Sequence, residues 1–324
     1  MYTLSEAQNL IEKFLKNLSI PDTPPELYEP VQYILSLGGK RIRPALVILA
    51  CDLFEGDVAS ALNPAAAVEV FHNFTLLHDD IMDRSELRRG HPTVHMKYNE
   101  NVAILSGDVM SILAGRLMNM APGVVLNLVH DVFTKTAMQV CEGQMMDMNY
   151  EERLTVSEEE YLQMIGLKTA VLIAASLKIG AILGGASQKD AEDLYEFGRN
   201  LGLAFQLQDD LLDTYGDQAL TGKKPGTDIV DNKKTILMIH ALQEANESQK
   251  DSLCHWLTVK EFDKKEKISA VCEIFNQIGI RELAETKIQH FFDEALASLE
   301  RLNRPAERKG ELYEFASYLK TRNR

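Results

Sequence analysis

Two short stretches that read DDxxD are the residues of this sequence best suited to bind a metal ion. The first is Asp79–Asp83, which reads DDIMD, and the second is Asp209–Asp213, which reads DDLLD. On a helix, residues four positions apart project from the same face, roughly 6 Å apart along the axis. The two outer aspartates of each stretch therefore project together and repel each other by a few tenths of a kcal/mol. A bound cation would relieve that repulsion, so the pattern predicts metal binding.

Magnesium is the cation that this chemistry favours. Mg²⁺ takes oxygen ligands, uses few protein carboxylates, and completes its shell with water and substrate phosphates. Two facing DDxxD stretches would therefore hold a diphosphate through bound Mg²⁺. For one DDxxD alone, a solvated acidic helix end is equally plausible. Two copies, each preceded by Leu and Gln or His rather than by charged residues, favour the metal site, and a calcium loop is a poor alternative because the D-x-D-x-D-G pattern is missing.

Two basic stretches lie on either side of the first DDxxD in the sequence and could hold a second anion. The stretch Gly38–Pro44 reads GGKRIRP, and the stretch Ser85–Pro92 reads SELRRGHP. Arginine binds phosphate with two parallel hydrogen bonds. Either run alone would usually be solvated surface, but basic residues beside a metal-binding cluster favour a diphosphate site. Its candidate residues are Lys40, Arg41, Arg43, Arg88 and Arg89.

Helices must position these residues, because helical periodicity dominates the sequence and alternating strand patterns are absent. We predict an all-α fold with one domain over 1–324. Helices are predicted to begin at Asn63-Pro64 and near Thr155. The long glycine-rich stretch Tyr215–Lys234, which carries four lysines, is predicted to be a functional loop. The stretch Val259–Lys267, VKEFDKKEK, is predicted to be a solvated turn.

Composition excludes several other classes of protein. The net charge of -14 argues against nucleic-acid binding. The four scattered cysteines, with no CxxC spacing, predict reduced, mostly buried thiols in a cytoplasmic protein. No export segment or integral membrane span is predicted, because the most apolar stretch, Ala170–Ala186, is interrupted by Ser176 and Lys178 and suits a buried helix.

Five motifs in this order give the sequence a family resemblance. GGKRIRP, LLHDDIMDRSELRRGHPTVH, GLKTA, FQLQDDLLD and TGKKPGTD resemble those of the trans-isoprenyl diphosphate synthases, also called polyprenyl synthetases. The matching motifs run from Gly38 to about Thr235. The resemblance implies a single helical bundle around a central cavity, and a homodimer. It also implies an enzyme that joins isopentenyl diphosphate to an allylic diphosphate in trans, 1'-4 and head-to-tail, with three Mg²⁺ ions bound alongside the substrates, and releases diphosphate.

The resemblance also implies roles for individual residues. Metal would be bound by Asp79, Asp83 and Asp209, with support from Asp80, Asp210 and Asp213. The isopentenyl diphosphate pocket would comprise Lys40, Arg43, His72 and Arg89, with Arg41 nearby. The allylic substrate would face Arg88, Lys168, Thr169, Gln206, Lys223 and Lys233. Catalysis would rest on Lys168, Thr169 and Gln206 together with Asp79 and Asp209. The register is open at Lys223/Lys224 and at Lys233/Lys234, because each lysine has a lysine neighbour.

Product length is expected to depend on the helix that precedes the first DDxxD. In the family, aromatic residues four or five positions before the first aspartate shorten the product. Here Phe74 is five positions before Asp79, the small Thr75 is four before it, and Phe71 lies one turn deeper. We therefore expect a C15 to C20 product, with C20 favoured. Simple core packing of Phe71 and Phe74 is the alternative.

Two other functions account for less of the sequence. A class I terpene cyclase needs only one diphosphate, which leaves GGKRIRP and the Arg88-Arg89 pair without a role, and its second metal motif differs from DDxxD. A non-catalytic regulatory subunit of a prenyl synthase could lose one aspartate cluster, whereas both are intact here.

Overall fold

The computed structural model describes residues 1–216 and 226–321, and nearly all of them form helices. The all-α prediction is confirmed. The α-helices in chain order are α1 (Leu4–Lys16), α2 (Pro25–Ser36), α3 (Ile42–Leu53), α4 (Val58–Met82), α5 (Val94–Lys97), α6 (Glu100–Met118), α7 (Leu126–Glu151), α8 (Glu158–Ile165), α9 (Val171–Leu183), α10 (Gln188–Tyr215), α11 (Thr227–Val230), α12 (Ile236–Glu244), α13 (Glu247–Thr258), α14 (Lys264–Ile278), α15 (Ile280–Glu300) and α16 (Ala306–Lys320).

Two further elements interrupt the helical pattern. A π-helical turn, Gly166–Ala170, joins α8 to α9. A short hairpin follows α4, in which strand β1 (Leu87–Arg88) pairs antiparallel with strand β2 (His91–Pro92). Both elements carry residues of the predicted site.

The chain divides into two compact units. The first unit comprises 1–135, 175–195 and 303–312, and the second comprises 136–174, 196–302 and 313–324. In the first unit, α4 packs against α3 and α6, and α1 packs against α3. In the second unit, α12 packs against α8, α14 and α15, and α11 packs against α14. The first DDxxD thus lies in the first unit and the second DDxxD in the second unit.

Helix α4 begins six residues earlier than predicted, so the predicted start at Asn63-Pro64 is wrong. The side chain of Asp57 caps the helix by accepting a hydrogen bond from Ala59 N at 3.0 Å. Pro64 therefore lies inside the helix, where its ring nitrogen cannot donate to the residue four positions earlier. The complete burial of the Ala65–Val68 segment that follows it compensates for the missing bond.

The start predicted near Thr155 is confirmed, because Ser157 forms a capping box with Glu160 and α8 begins at Glu158. The predicted solvated turn Val259–Lys267 is only half right. Asp263 caps α14 by accepting from Lys265 N and Glu266 N, and the side chain of Lys267 is fully buried. Lys267 is buried because it lies one helical turn before Val271, on the inward face of α14.

Two helical stretches within the described residues are apolar and long enough, by composition alone, to cross a membrane. They are Glu100–Met118 and Glu158–Leu183. The second is mostly buried inside the protein, as a core helix would be, and neither is a clear membrane span. The four cysteines form no disulfide bond, but the prediction that most of them are buried is wrong, because only Cys51 is buried and Cys141 and Cys254 are exposed.

Candidate active site

The end of α4 presents the first DDxxD in two different environments. Asp79 is partly exposed, Asp83 is the exposed C-cap residue, and Asp80 is buried. Arg88 from β1 donates to both carboxylate oxygens of Asp80: Nε lies 3.1 and 3.0 Å from Oδ1 and Oδ2, and Nη2 lies 2.6 Å from Oδ1. Burial raises the pKa of Asp80, and the Arg88 guanidinium offsets this only in part. Asp80 therefore orients Arg88, while Asp79 and Asp83 remain more accessible to solvent.

Arg43 and His72, both predicted for the isopentenyl diphosphate pocket, lie together in the first unit. Arg43 Nη1 is 3.3 Å from His72 Nε2. Burial lowers the pKa of His72 well below its ordinary value, and the positive charges of Arg43, Arg89, Arg88 and Arg41 lower it further. His72 is therefore neutral and can accept the Arg43 proton donor. Arg43 Nε is buried with no hydrogen-bond partner among the described residues. Because buried donors are normally hydrogen-bonded, this atom is a candidate donor to a bound ligand.

The Gly38-Gly39 turn holds Arg89, another predicted phosphate ligand. Arg89 Nη1 donates a short hydrogen bond to the Gly38 carbonyl oxygen. A Cβ at Gly39 would lie 2.8 Å from Arg89 Nη2, and Gly39 has a φ of 141°. Arg89 itself and Gly90 form the hairpin turn with φ of 54° and 78°, as a type I′ turn requires. Gly39 thus makes room for the guanidinium, and Gly38 supplies the carbonyl oxygen that accepts its hydrogen bond.

Arg41 has a different position from the rest of the GGKRIRP motif. Its guanidinium is buried and donates to Glu12 Oε2 at 2.9 Å, Glu69 Oε1 at 2.6 Å and the Leu35 carbonyl at 2.7 Å. These three partners occupy its Nε, Nη1 and Nη2 atoms. The arrangement favours a role for Arg41 in fixing the turn beside Lys40, rather than direct contact with a phosphate.

The aromatic residues predicted to limit product length form one cluster. Phe71 packs against Phe74 with ring centroids 5.5 Å apart, and against Phe133 of α7 at the same separation. Phe74 also contacts the ring of His78 at 4.8 Å. The hydroxyl of Thr75 donates to the His72 carbonyl at 2.8 Å. Phe133, which sequence reasoning missed, therefore backs Phe71.

In the second unit, the π turn Gly166–Ala170 carries Lys168 and Thr169. Two glycines make room for it. A Cβ at Gly143 of α7 would collide with the backbone of Lys168, and a Cβ at Gly202 of α10 would collide with Ala170. Isolated π turns inside helices are frequent at functional sites. Here the turn itself contains the predicted catalytic residues Lys168 and Thr169, and it packs closely against α7 and α10.

A chain of hydrogen bonds joins the predicted catalytic residues of the second unit. Thr169 Oγ1 donates to Gln206 Oε1 at 3.2 Å, and Gln206 Nε2 donates to Asp210 Oδ1 at 3.2 Å. The buried Tyr161 hydroxyl donates a short hydrogen bond to Asp210 Oδ2. Burial raises the pKa of Asp210 well above its ordinary value, and the charge of Asp228 adds to this. The chain fixes the orientation of the Gln206 amide.

The three lysines predicted to face the allylic substrate differ in how far the structure describes their contacts. Lys168 Nζ forms an ion pair with Asp147 Oδ2 at 2.5 Å. Lys233 Nζ lies 4.0 Å from Glu151 Oε1, whereas Lys234 Nζ donates to the Asn232 carbonyl at 2.9 Å and to the Glu151 carbonyl at 3.4 Å. Lys223 and Lys224 lie outside the described residues. The register of both lysine pairs stays a prediction.

The residues present fit magnesium in each unit taken by itself. The middle aspartate of each DDxxD is buried and hydrogen-bonded, while Asp79, Asp83, Asp209 and Asp213 are partly or fully exposed. Over 1–216 and 226–321, no three His, Cys, Asp or Glu side chains gather as a ready-made metal site. A cation with few protein ligands, completed by water and phosphate, suits such a donor set.

Several residues of these clusters were not predicted from the sequence. They are two acids, two aromatic residues and two glycines without a chemical motif of their own: Glu69, Phe133, Gly143, Asp147, Tyr161 and Gly202. Asp228 could have been found, because it ends the TGKKPGTD motif. Its backbone N–H donates to Asp213 Oδ2 at 2.9 Å, which ties this motif to the second DDxxD.

Comparison with known proteins shows relatives over the full chain. The family described as Polyprenyl synthetase matches residues 24–275. A short chain isoprenyl diphosphate synthase of Methanothermobacter thermautotrophicus is 40% identical over 268 residues, 82% of each chain. A geranylgeranyl diphosphate synthase of Sulfolobus acidocaldarius is 36% identical over 324 residues, 99% of this chain and 97% of that one.

Solved structures give the same result. A crystal structure of geranylgeranyl pyrophosphate synthase matches with a TM-score of 0.95 at 42% identity, covering 99% of both chains. The geranylgeranyl pyrophosphate synthetase of Pyrococcus horikoshii matches with a TM-score of 0.91 at 34% identity, covering 98% of both chains. The chain therefore has the all-helical isoprenoid synthase fold.

Proposed function

This chain belongs to the polyprenyl synthetase family, and we propose from that premise that it is a Mg²⁺-dependent geranylgeranyl diphosphate synthase. One observation carries the proposal. Both DDxxD stretches have the same internal arrangement, in which a buried, hydrogen-bonded middle aspartate lies between two more accessible ones. A repeated arrangement of this kind suits two carboxylate sites that bind cations on a diphosphate.

Different candidate residues would bind the two substrates. In the first unit, Lys40, Arg43, His72 and Arg89 would bind isopentenyl diphosphate, and the unpartnered Arg43 Nε supports this assignment. Asp79, Asp83, Asp209 and Asp213 would hold Mg²⁺, which supplies positive charge to the departing diphosphate. Arg88, Lys168 and Lys233, with Lys223 outside the described residues, would contact the allylic diphosphate.

The chemistry needs a stabilised cation as much as a bound diphosphate. Ionisation of the allylic carbon–oxygen bond leaves a carbocation on the substrate, and oriented dipoles stabilise such charge. Thr169 and Gln206 would supply hydroxyl and amide dipoles, because their hydrogen bonds to each other and to Asp210 fix both orientations. The double bond of isopentenyl diphosphate then attacks, and the released diphosphate would take up the departing proton.

A C20 product is supported by the chain and by its relatives. Phe74 and Phe71 would form the floor against which the growing chain stops, and the small Thr75 leaves room above them. Proteins named geranylgeranyl diphosphate synthase recur among the relatives at 36 to 45% identity. Neither a terpene cyclase nor a regulatory subunit is supported by these comparisons.

One assay tests the proposal. The protein is incubated with Mg²⁺, labelled isopentenyl diphosphate and each of the C5, C10 and C15 allylic diphosphates, and the products are sized. We expect C20 as the end product and none after chelation with EDTA. Asp79→Ala and Asp209→Ala should each reduce turnover at least about a hundredfold, while Asp131→Ala, an exposed control on α7, should not. Product formation without a divalent cation, or near-normal rates in either site variant, would refute the assignment.

We also propose that the protein is a homodimer. Apolar side chains that are more than half exposed recur along two consecutive helices, at Leu105 and Ile112 of α6 and at Leu128, Met138 and Met145 of α7. Such apolar faces on a folded protein commonly mark an interface. Light scattering should give twice the mass of the chain, and Ile112→Glu should yield monomer, whereas Leu283→Glu on α15 should not. A monomeric wild type would contradict the proposal.

A further inference from the structure

Lys267 of α14 is a fully buried lysine with neutral partners. Its Nζ donates to Asn232 Oδ1 at 2.6 Å and to the Val230 carbonyl at 3.3 Å. It also lies 4.3 Å from the centre of the Phe262 ring. The side chain has 0% exposure, and none of these partners is a carboxylate.

A buried ammonium with neutral partners lowers the stability of the folded protein. Burying a charge costs several kcal/mol unless a counter-charge or good hydrogen bonds compensate. Burial lowers the pKa of Lys267, and the more distant charge of Asp231 opposes this only in part. A methionine or leucine would fill the same space without that cost, so stability alone does not account for a lysine here.

Both hydrogen-bond acceptors of Lys267 lie in the segment Gly226–Lys234, which is hydrogen-bonded to Asp213 of the second DDxxD. Gly226 N donates to the Asp213 carbonyl at 2.6 Å, and Asp228 N donates to Asp213 Oδ2 at 2.9 Å. At its other end the segment turns through Asn232, whose φ of 57° is left-handed, directly into Lys233 and Lys234. The two hydrogen bonds from Lys267 therefore hold the part of the segment that lies between Asp228, which is bonded to Asp213, and the lysines Lys233 and Lys234.

We propose that Lys267 is a positioning residue that holds the segment Gly226–Lys234 in the conformation needed to bind the allylic diphosphate. The proposal rests on the proposed function, because that function assigns the allylic diphosphate to Asp213 and Lys233. Lys267 touches no substrate. It fixes the end of α11 and the turn at Asn232. The hydrogen bond from Asp228 N to Asp213 is thereby maintained, and Lys233 and Lys234 keep their positions.

The test compares Lys267→Met with Lys264→Met, which removes an exposed lysine from the same helix. Wild-type turnover is measured first, so that a failure of the proposed function is seen before the variants are compared. Lys267→Met should raise the KM for the allylic diphosphate about tenfold, as expected for the loss of a charged hydrogen bond. The KM for isopentenyl diphosphate should stay unchanged, and Lys264→Met should alter neither. A loss of folded protein alone would lower kcat and leave both KM values unchanged.

A second variant keeps the proposal testable if Lys267→Met does not fold. Asn232→Gly accepts the left-handed backbone without strain and removes the 2.6 Å hydrogen-bond acceptor. It should raise the same KM in the same direction; where Lys267→Met does fold, adding it to Asn232→Gly should raise that KM by much less than tenfold. Unchanged KM values in Asn232→Gly, or equal rises for both diphosphates, would overturn the proposal.

Discussion

The guanidinium of Arg88 donates three hydrogen bonds of 2.6 to 3.1 Å to the carboxylate of Asp80, which is only 2% exposed. Arg88→Met leaves this buried carboxylate without its counter-charge. We expect the free energy of unfolding to fall by about 2 to 3 kcal/mol, measured by urea denaturation. The exposed control Arg84→Met should have little effect on stability.

A second substitution separates the stability of this ion pair from its function. Asp80→Asn in the Arg88→Met background removes the stranded charge, so most of the lost stability should return. Turnover should not return, because Arg88 is proposed to contact the allylic diphosphate. If Arg88→Met destabilises the protein equally with Asp80 or Asn at position 80, the ion pair is not the source of the stability.

Gly39→Ala should weaken binding of isopentenyl diphosphate. The added Cβ would lie 2.8 Å from Arg89 Nη2, so the guanidinium must move. We expect the KM for isopentenyl diphosphate to rise about tenfold, the cost of about one charged hydrogen bond. Gly38→Ala is the matched control: it also places a side chain at positive φ, but its Cβ meets no atom within 4 Å. Equal effects of the two variants would mean that backbone strain, rather than Arg89, is responsible.

Protein stability should fall below neutral pH partly because of His72. Its folded pKa is depressed well below 6.5 by burial. Below pH 6.5 the unfolded chain therefore takes up a proton that the folded protein rejects, and the unfolding free energy falls by up to about 1.4 kcal/mol per pH unit. His72→Gln removes this contribution, so its stability should fall less between pH 7.5 and pH 5.5 in urea titrations. His91→Gln, at an exposed position, should keep the wild-type pH dependence.

Removing the aromatic floor should lengthen the product. In Phe71→Ala/Phe74→Ala the cluster loses two rings, and we expect products at least one five-carbon unit longer than those of the wild type. The buried Phe71 alone should cost about 3 kcal/mol of stability, so assays are run well below the unfolding temperature. Phe275→Ala in α14 loses a comparable buried ring and should leave product length unchanged. An unchanged product in the double variant would show that Phe71 and Phe74 are core packing only.

The sequence indicated candidate site residues, but it did not indicate the residues that pack against them and hold them in place. DDxxD and GGKRIRP were recognisable because few kinds of site need those charges at that spacing, whereas GLKTA was recognisable only through the family resemblance. Arg41 could not be separated from Arg43 in this way, since both are arginines in one motif. Only the positions of Glu12 and Glu69 show that Arg41 is committed to the fold.

Long-range packing accounts for the two errors in the predicted helix boundaries and exposed turn. Asn63-Pro64 has the chemistry of a helix start, but the earlier cap at Asp57 and the burial of the following alanines extend α4 through the proline. Lys267 lies in a run of charges that is typical of solvated surface. Its burial depends on α11, more than thirty residues earlier in the chain, and no local pattern reports such a contact.

The π turn at Gly166–Ala170 constrains the length of the chain as well as its composition. An i→i+5 turn uses one residue more than a turn of α-helix. Deleting any one of these five residues would leave an ordinary α-helical turn, so α8 and α9 would merge into one regular helix and the wider turn that carries Lys168 and Thr169 would be lost. Insertions and deletions should therefore be far less tolerated here than in the surface loops, and homologues of different length should differ elsewhere.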